Sequence, residues 1–432
     1  MNALAITTAE TRTSEHDDPS LLDIADALRA RHFASANPQH QKEFGQFLPP
    51  PHVADLMAAM FGIRSRHMRL LDAGAGVGIL SAAFVRCQLK KKTPPKRIEV
   101  TAYELDAKLV RGLNETYAAC RIACYHQGVD FSATIHNTDF VAEAAEMQRH
   151  DFFSKTSPVF DAAIVNPPYG KLSTTTENYR LLLAVGAEST NLYAAFLNLI
   201  IGLLRPKGEL VAITPRSFCN GSYFKPFRQR LLRDMSLSRI HVFESRTAAF
   251  KHDNVLQENV IIRAVKQARL SPTIRVSLSS GAIHDRVRSR AFPATEIVSP
   301  SDAQSFIHIP TSDQHLVARD QVARLKATLD RLGLTVSTGR VVDFRAHEQI
   351  REKAETGTCP LIYPCHFNGL FVTWPAEKGR KPNAIRDDVQ TRNLVIPAAV
   401  YVLTKRFTSK EERRRVVACI YDPIRIGSQR VG

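Results

Sequence analysis

The stretch Phe160-Asp-Ala-Ala-Ile-Val-Asn-Pro-Pro-Tyr-Gly170 decides the fold, because a short apolar run ends abruptly in a turn that contains two prolines. Residues 160–165 read as a buried strand. Pro167 and Pro168 fix the backbone and lack amide donors, so carbonyl oxygens there are free to accept hydrogen bonds from a ligand. Asn166 adds a side-chain oxygen, and Tyr169 adds a flat ring for stacking. The turn predicts a site for a planar amine; a tight strand-to-helix turn capped by Asn166 is the alternative.

A second turn lies upstream, where the strand-like run Arg69–Asp72 leads into three glycines at alternate positions, Gly74, Gly76 and Gly78. Glycines allow a bound cofactor to approach the backbone closely. A dinucleotide fingerprint would need a small residue where Ile79 stands, so no pyrophosphate is implied. Asp72, just before the glycines, suits an amino-acid ammonium group better than a phosphate. A glycine turn alone is a weak signal of a cofactor site.

Two further predicted strands end in acidic residues. Glu104 follows the run Ile98–Tyr103, and its carboxylate can accept hydrogen bonds from both hydroxyls of a ribose. Asp106, two residues later, fits the N-terminus of a helix. Asp139 ends the next strand and can accept a hydrogen bond from the exocyclic amine of an adenine.

Strands alternate with helices along this part of the chain, which predicts an open, mostly parallel α/β sheet of the Rossmann-like kind. Ligands of such sheets bind outside the carboxyl ends of the strands. Asp72, Glu104, Asp139 and Asn166 all occupy that edge. Their convergence predicts one site more strongly than any single motif.

Three loops complete this predicted site. The proline run around Pro49 shapes the entrance of a helix at His52–Phe61. Residues 171–190 form a long polar connection at the ligand edge, which is typical of a lid. Phe250 is an aromatic residue among polar ones; it offers a second stacking surface for a base or packs within its own loop.

The composition indicates a polyanionic partner. The chain has 432 residues and a formal net charge of +16, which is unusual for a large protein that does not bind nucleic acid. Its seven cysteines lack the paired spacing of metal sites, so we expect no metal and a reducing cytoplasm. The apolar stretch Tyr193–Leu204 is too short to span a bilayer, and no membrane association is expected.

The pattern changes after Val265 and suggests two domains. We expect residues 1–19 to be disordered, because they are acidic and threonine-rich with few large apolar groups. Residues 20–266 form the α/β domain. Residues 267–432 form a smaller α+β domain with aromatic and basic surface, in which a helix is predicted from Asp320 to Leu332.

In order and spacing, residues 40–265 resemble the γ class of adenine-N6 DNA methyltransferases of restriction-modification systems. The resemblance implies S-adenosylmethionine as the cofactor and base flipping of the target adenine. It implies that the cofactor is bound by Pro49, Asp72, Gly74, Gly76, Gly78, Glu104 and Asp139. It further implies a catalytic Asn166-Pro167-Pro168-Tyr169 turn and a substrate-binding Phe250 that stacks on the flipped base.

The second domain is similar to the PstI/BsuBI type, in Leu361-Ile-Tyr-Pro-Cys-His-Phe367 and in Lys405-Arg-Phe-Thr-Ser-Lys-Glu-Glu-Arg-Arg-Arg-Val-Val-Ala418. That similarity implies recognition of the duplex palindrome CTGCAG, methylation of its adenine, and protection from a cognate restriction endonuclease. Two features depart from the pattern. Leu48 replaces a threonine in the Thr-Pro-Pro loop, and the chain ends at Gly432 soon after Tyr421-Asp-Pro423. The second departure leaves open a target-recognition domain truncated at its C-terminus.

Two other functions remain compatible with these motifs. The same turn serves enzymes that methylate a glutamine side chain of proteins, although these are shorter and lack a large basic second domain. A DNA-binding protein with an inactive methyltransferase fold is the other alternative.

Overall fold

The computed structural model describes residues 20–35, 48–149, 159–244, 258–267, 271–282, 287–376, 381–407, 414 and 416–432. The chain divides into two compact units, the first ending at Gln321 and the second running from Val322 to Gly432. The predicted disordered segment, residues 1–19, and the predicted stacking residue Phe250 lie outside the described residues.

The first unit is built on one sheet with helices packed against it. The strands are β1 His67–Ala73, β2 Arg97–Tyr103, β3 Asp130–His136, β4 Phe160–Val165, β5 Leu204–Pro215, β6 Met235–Phe243, β7 Asn259–Lys266, β8 Thr273–Ser279 and β9 Arg288–Pro293. The α-helices are α1 Leu21–Ser35, α2 Pro51–Ala59, α3 Ile79–Leu89, α4 Ala107–His126, α5 Phe140–Gln148, α6 Glu177–Ala184, α7 Leu192–Leu203, α8 Lys225–Asp234, α9 Ala294–Ile297 and α10 Asp313–Ala323. Two 3₁₀ helices, Arg216–Cys219 and Ser222–Phe224, follow β5.

The strand order places the ligand edge. The sheet runs β3-β2-β1-β4-β5-β7-β6-β8-β9, and the first five strands are parallel. The chain moves outward from β1 to β3 and then returns to the other side of β1 with β4. Such a reversal between neighbouring parallel strands opens a crevice at their carboxyl ends. The glycine turn follows β1 and the proline turn follows β4, so both predicted motifs lie at this reversal.

β4 shows why the sequence folds this way. All six of its residues are buried, as expected for a central parallel strand covered on both faces. Side chains alternate between the faces. Ala163 and Val165 join the apolar cluster that contains α7, whereas Ala162 and Ile164 join the cluster that contains α3. The apolar residues 162–165 are therefore divided between two cores, and Asn166 is the polar residue that follows them at the end of the strand.

The sheet of the first unit extends further along the chain than the sequence indicates. β8 pairs in parallel with β6, and β9 pairs with β8. Ile274 and Val276 of β8 are buried in the larger core cluster. The boundary predicted after residue 266 therefore lies inside the first unit, which extends to Gln321.

The helix predicted from Asp320 to Leu332 is wrong in its position. The structure has α10 at Asp313–Ala323 and a short 3₁₀ helix at Asp330–Leu332. Leu325 and Leu329 between them are exposed, by 71% and 50%. Helices of this length depend on an apolar face that packs against something, and this segment has none in the part of its unit that the structure describes.

The second unit consists mainly of short strands. They are β10 Ile350–Arg351, β11 Thr358–Pro360, β12 Phe367–Asn368, β13 Phe371–Val372, β14 Ala384–Arg386, β15 Ile396–Pro397, β16 Tyr401–Thr404, β17 Ala418–Tyr421 and β18 Arg430–Val431. Its helices are the 3₁₀ helices Asp330–Leu332 and Pro364–His366 and the α-helix α11 Pro423–Ile426. The strands form sheets of three, four and two strands over two small apolar clusters. Across the described ranges of both units, no helix combines the length and apolar character needed to cross a membrane.

Candidate active site

A cavity of about 410 Å³ lies at the carboxyl ends of the first four strands. Its volume falls in the range of about 300–1,000 Å³ that is typical of pockets for small ligands. The residues that were predicted from the sequence and that line it are Pro49, Gly74, Gly76, Glu104, Asp139, Asn166 and Pro168. The cavity therefore joins the proline loop before α2, the glycine turn, both acidic strand ends and the proline turn.

The glycine turn and Glu104 hold each other in place. Gly74, Gly76 and Gly78 have φ angles of 78°, 59° and 84°, a left-handed conformation that favours glycine. The Gly76 amide donates to Glu104 Oε2 at 2.7 Å, and the Asp106 amide donates to Glu104 Oε1 at 2.8 Å. Burial raises the pKa of Glu104, which is opposed by these backbone donors. A carboxylate has about four acceptor positions, so Glu104 can still accept a hydrogen bond from a further ligand.

Leu48 covers the glycine turn, which yields a prediction about both residues. A Cβ atom added to Gly76 would overlap the Leu48 side chain, and the positive φ angle adds strain of roughly 1–2 kcal/mol. We expect Gly76→Ala to weaken cofactor binding about tenfold, and Leu48→Ala in the same chain to restore part of the loss. The two single variants and the double variant form a cycle that isotherms for S-adenosylhomocysteine can measure. Strictly additive effects would show that the two side chains do not meet.

Asp72 lies behind the wall of the cavity. It is fully buried, and its Oδ2 accepts a hydrogen bond from the Ser81 hydroxyl at 2.6 Å. Its Oδ1 has no hydrogen-bond partner among the described residues. Burial, assisted by the negative charge of Glu104, raises the pKa of Asp72 to about 7. The ammonium contact expected of Asp72 stays a prediction, because the described cavity lining does not include this residue.

The raised pKa of Asp72 predicts a pH-dependent stability. The folded pKa, about 7, exceeds the ordinary value of 3.8, so the folded state holds more protons than the unfolded state between these values. The free energy of unfolding must then fall as pH rises through that window and level off above it. Asn does not titrate, so Asp72→Asn should gain stability over the natural protein by roughly 2 kcal/mol between about pH 5 and about pH 8. Urea unfolding without cofactor measures this difference; parallel pH profiles would contradict it.

The proline turn stands against the glycine turn inside the same cavity. A Cβ atom on Gly74 would lie 3.8 Å from the Asn166 carbonyl oxygen and 3.9 Å from Pro168 Cδ. Pro167 is buried beneath the turn and, like Gly78, lies outside the described cavity lining. The two turns therefore open onto one cavity, as a transfer between a cofactor and an amine requires.

Tyr169 packs into an aromatic row that supports the proline turn. Its hydroxyl donates to Asn166 Oδ1 at 3.2 Å. Its ring packs edge-on against the ring of Tyr193, with 6.3 Å between the ring centroids. The ring of Tyr193 stacks on that of Phe224, with 5.3 Å between the centroids. Burial raises the pKa of Tyr169, so its hydroxyl stays protonated and remains a donor. The amide oxygen of Asn166 is thus oriented before any substrate arrives.

Asp139 is engaged on both oxygens. Its Oδ1 accepts from the Val141 amide at 2.8 Å as the cap of α5, and its Oδ2 accepts from Asn178 Nδ2 at 2.7 Å. Sequence reasoning missed Asn178, which lines the cavity from the predicted lid. It also missed Tyr103, which lines the cavity next to Glu104 and stacks on His136 at 4.7 Å. The position of Tyr103 at a strand end was an available signal; Asn178 had none.

The donor set of the cavity fits S-adenosylmethionine. Two carboxylates, Glu104 and Asp139, line the cavity, whereas none of its described lining residues is Lys, Arg or His. Such a surface suits a cationic sulfonium ligand and does not suit a phosphate. Leu105 stands at the rim with 55% of its side chain exposed, and it offers an apolar contact for a flat base.

This chain is similar to known methyltransferases over most of its length. The family described as Eco57I restriction-modification methylase matches residues 100–250. The type II methyltransferase M.PstI of Providencia stuartii is 40% identical over 404 residues, which is 94% of this chain and 79% of that protein. The chain belongs to the type II restriction-modification methyltransferases of the PstI type. M.BsuBI of Bacillus subtilis is 36% identical over 397 residues, covering 91% of this chain and 77% of that protein.

Family membership confirms the resemblance that was read from the motifs. This PstI-type methyltransferase methylates DNA, and S-adenosylmethionine is its methyl donor. A solved structure described as a modification subunit of a type I restriction enzyme from Vibrio vulnificus matches with a TM-score of 0.50 and 13% identity, over 68% of this chain and 65% of that one. At that identity the likeness bears on the fold alone, and it confirms the predicted methyltransferase sheet.

Proposed function

We propose that this enzyme transfers the methyl group to N6 of adenine in the duplex site CTGCAG and so protects DNA from a cognate restriction endonuclease. One observation carries the proposal: Asn166 and Pro168 line the same cavity as the glycine turn and Glu104. An exocyclic amine placed at this proline turn faces the cofactor's side of the cavity. The choice of CTGCAG follows from the resemblance of the second unit to the PstI/BsuBI type, which the two similar methyltransferases support.

Asn166 prepares the amine for attack. Its Oδ1 and the Pro167 carbonyl oxygen each accept a hydrogen bond from one N–H group of the adenine amine. These two hydrogen bonds draw the amine nitrogen out of conjugation with the ring and free its lone pair. Bound S-adenosylmethionine supplies an electrophilic methyl group on a sulfonium. Positioning of the two groups can supply about 7 kcal/mol or more of the barrier. The methylated amine is acidic and releases its proton to water, so Asn166 need not act as a base.

The target adenine must leave the duplex to reach Asn166. Flipping costs a few kcal/mol of lost pairing and stacking. Stacking on an aromatic ring such as Tyr169 returns about 1–3 kcal/mol. Tyr169 also bonds to Asn166 Oδ1, and that oxygen has a second lone pair for the adenine amine. Phe250 stays a candidate for the other stacking surface.

The second unit is the proposed target-recognition domain. Phe344 and Phe407 are each 76% exposed. The Arg345 guanidinium lies over the Phe344 ring, with Cζ 5.4 Å from the ring centroid. The Arg406 guanidinium lies over the Phe407 ring in the same way, at 5.2 Å. Paired arginine and aromatic surfaces suit contacts with phosphates and bases. The net charge of +16 supports the same partner. The cytoplasmic location stays a prediction.

Sequencing of modified bases tests the proposal. The natural chain is expressed in a bacterial host without DNA methylation, and its DNA is read by single-molecule sequencing. We expect N6-methyladenine in CTGCAG sites and resistance of that DNA to an endonuclease that cleaves CTGCAG. Methylated cytosine, or methyl groups found only on protein, would contradict the proposal. The second outcome would favour the glutamine-methylating alternative.

A further inference from the structure

The segment between the proline turn and α7 is closed at its neck. Lys171 and Asn191 form an antiparallel bridge, the Leu172 amide donates to the Thr190 carbonyl at 2.9 Å, and the Leu192 amide donates to the Gly170 carbonyl at 2.9 Å. We call residues 171–191 the strap. Its two ends are joined by these hydrogen bonds directly after the proline turn.

The strap is anchored by its own helix. Leu182 of α6 and Ala187 after it are both fully buried in the larger core cluster. The Thr176 hydroxyl oxygen caps α6 by accepting from the Tyr179 amide at 3.4 Å. The first turn of α6 is thereby held over the cavity, and Asn178 lies in that turn.

Asn178 meets Asp139 inside the cavity. Both residues line it, and the Asn178 amide donates to Asp139 Oδ2 at 2.7 Å. A hydrogen bond to a carboxylate is stronger than one between neutral groups. The side-chain amide keeps its carbonyl oxygen and one further N–H for a ligand, while the carboxylate keeps acceptor positions. The pair therefore presents acceptors beside a donor on one edge of the cavity.

An adenine ring is complementary to that edge. Its exocyclic amine donates and the neighbouring ring nitrogen accepts, and side-chain amides of Asn pair with both groups of adenine in DNA. We propose that Asn178 is a cofactor-binding residue that, together with Asp139, reads the adenine of S-adenosylmethionine. The inference rests on the proposed placement of that adenine at Asp139.

Binding of two ligands to the full chain tests this role. S-adenosylhomocysteine carries the adenine amine, and S-inosylhomocysteine carries an oxygen in its place. We expect the natural protein to prefer the adenine ligand, by about tenfold or more for a hydrogen bond to a charged group. Asn178→Ala should bind S-adenosylhomocysteine about tenfold more weakly and lose part of that preference, because Asp139 still accepts from the exocyclic amine. Calorimetry gives both affinities without any turnover.

Two more variants keep the test decisive. Asn178→Asp has the same shape but lacks the donor and repels Asp139, so it should also lose the preference even if the alanine variant folds poorly. Asn114→Ala changes an exposed asparagine of α4, away from the cavity lining, and should leave both affinities unchanged.

Each contrary result has a separate meaning. A natural protein that does not prefer the adenine ligand overturns the placement of adenine at Asp139 and the inference with it. A natural preference that survives undiminished in both Asn178 variants overturns the inference alone. Equal losses for the two ligands in Asn178→Asp would show that Asn178 only supports the strap, which also overturns it.

Discussion

Replacing Asn166 by Ala is expected to slow methyl transfer severely while DNA and cofactor still bind. Asn166 lines the cavity, and its side-chain oxygen is the acceptor that the proposed mechanism needs when charge develops on the amine. Loss of one such preorganised hydrogen-bond group typically lowers kcat by about 10²–10³. Single-turnover transfer of labelled methyl groups to CTGCAG duplexes measures this effect. Calorimetry with S-adenosylhomocysteine should show a Kd within about twofold of the natural value.

Two matched variants separate chemistry from folding at this position. Tyr169→Phe removes the hydroxyl that bonds to Asn166 Oδ1 but keeps the ring, so it should slow transfer far less than Asn166→Ala. Asn114→Ala, an exposed asparagine, should change nothing. Full activity of Asn166→Ala would refute the assignment of the proline turn as the catalytic element.

Replacing Glu104 by Ala is expected to have the second-largest effect, on cofactor binding. The Gly76 and Asp106 amides both donate to this carboxylate, and its loss leaves two buried donors without their acceptor. Each such donor costs about 1–3 kcal/mol, and the proposed bonds to the ribose disappear as well. We expect the Kd for S-adenosylhomocysteine to rise on the order of 10²–10³-fold, which is about 3–4 kcal/mol.

The Glu104→Gln variant distinguishes two roles of Glu104, which are holding the glycine turn in place and contacting the cofactor directly. Its amide retains one acceptor oxygen but turns an N–H toward one of the two backbone donors, so its affinity should be intermediate. Thermal unfolding without cofactor reports the part of the loss that belongs to the loop alone. An unchanged Kd with lowered thermal stability would show that Glu104 holds the glycine turn and does not contact the ribose.

The strand ends could be predicted because their signals are local. The apolar residues 162–165 of β4 and the polar residue that follows them are adjacent in the sequence, so this run alone placed Asn166 at the carboxyl end of the strand. The three glycines of the turn have positive φ angles, which their residue type alone already indicates. Glu104 and Asp139 were found in the same way, as acids that follow predicted strands and line the cavity.

The remaining features depend on contacts between distant residues. Asn178 reaches Asp139 across 39 positions, and nothing in the polar segment around it marks that contact. Leu48 covers Gly76 only because the loop before α2 folds over the glycine turn. β8 was assigned to the second domain because the sequence pattern changes after Val265. Its pairing with β6 nevertheless places it in the sheet of the first unit. Such pairings follow from the whole sheet and not from a window of sequence.

The pairing of β1 with β4 has a consequence for how this enzyme can evolve. Leu70 pairs with Ala162, and Leu71 with Ala163. The strand that leads into the glycine turn and the strand that leads into the proline turn are therefore hydrogen-bonded neighbours in the sheet. Neighbouring strands lie about 4.8 Å apart whatever their side chains are. With the two ligands placed as proposed, the separation of methyl donor and acceptor is therefore set by the peptide backbone. If the second unit reads the DNA sequence, as proposed, new sequences can be adopted by changing that unit alone, and the distance over which the methyl group travels stays the same.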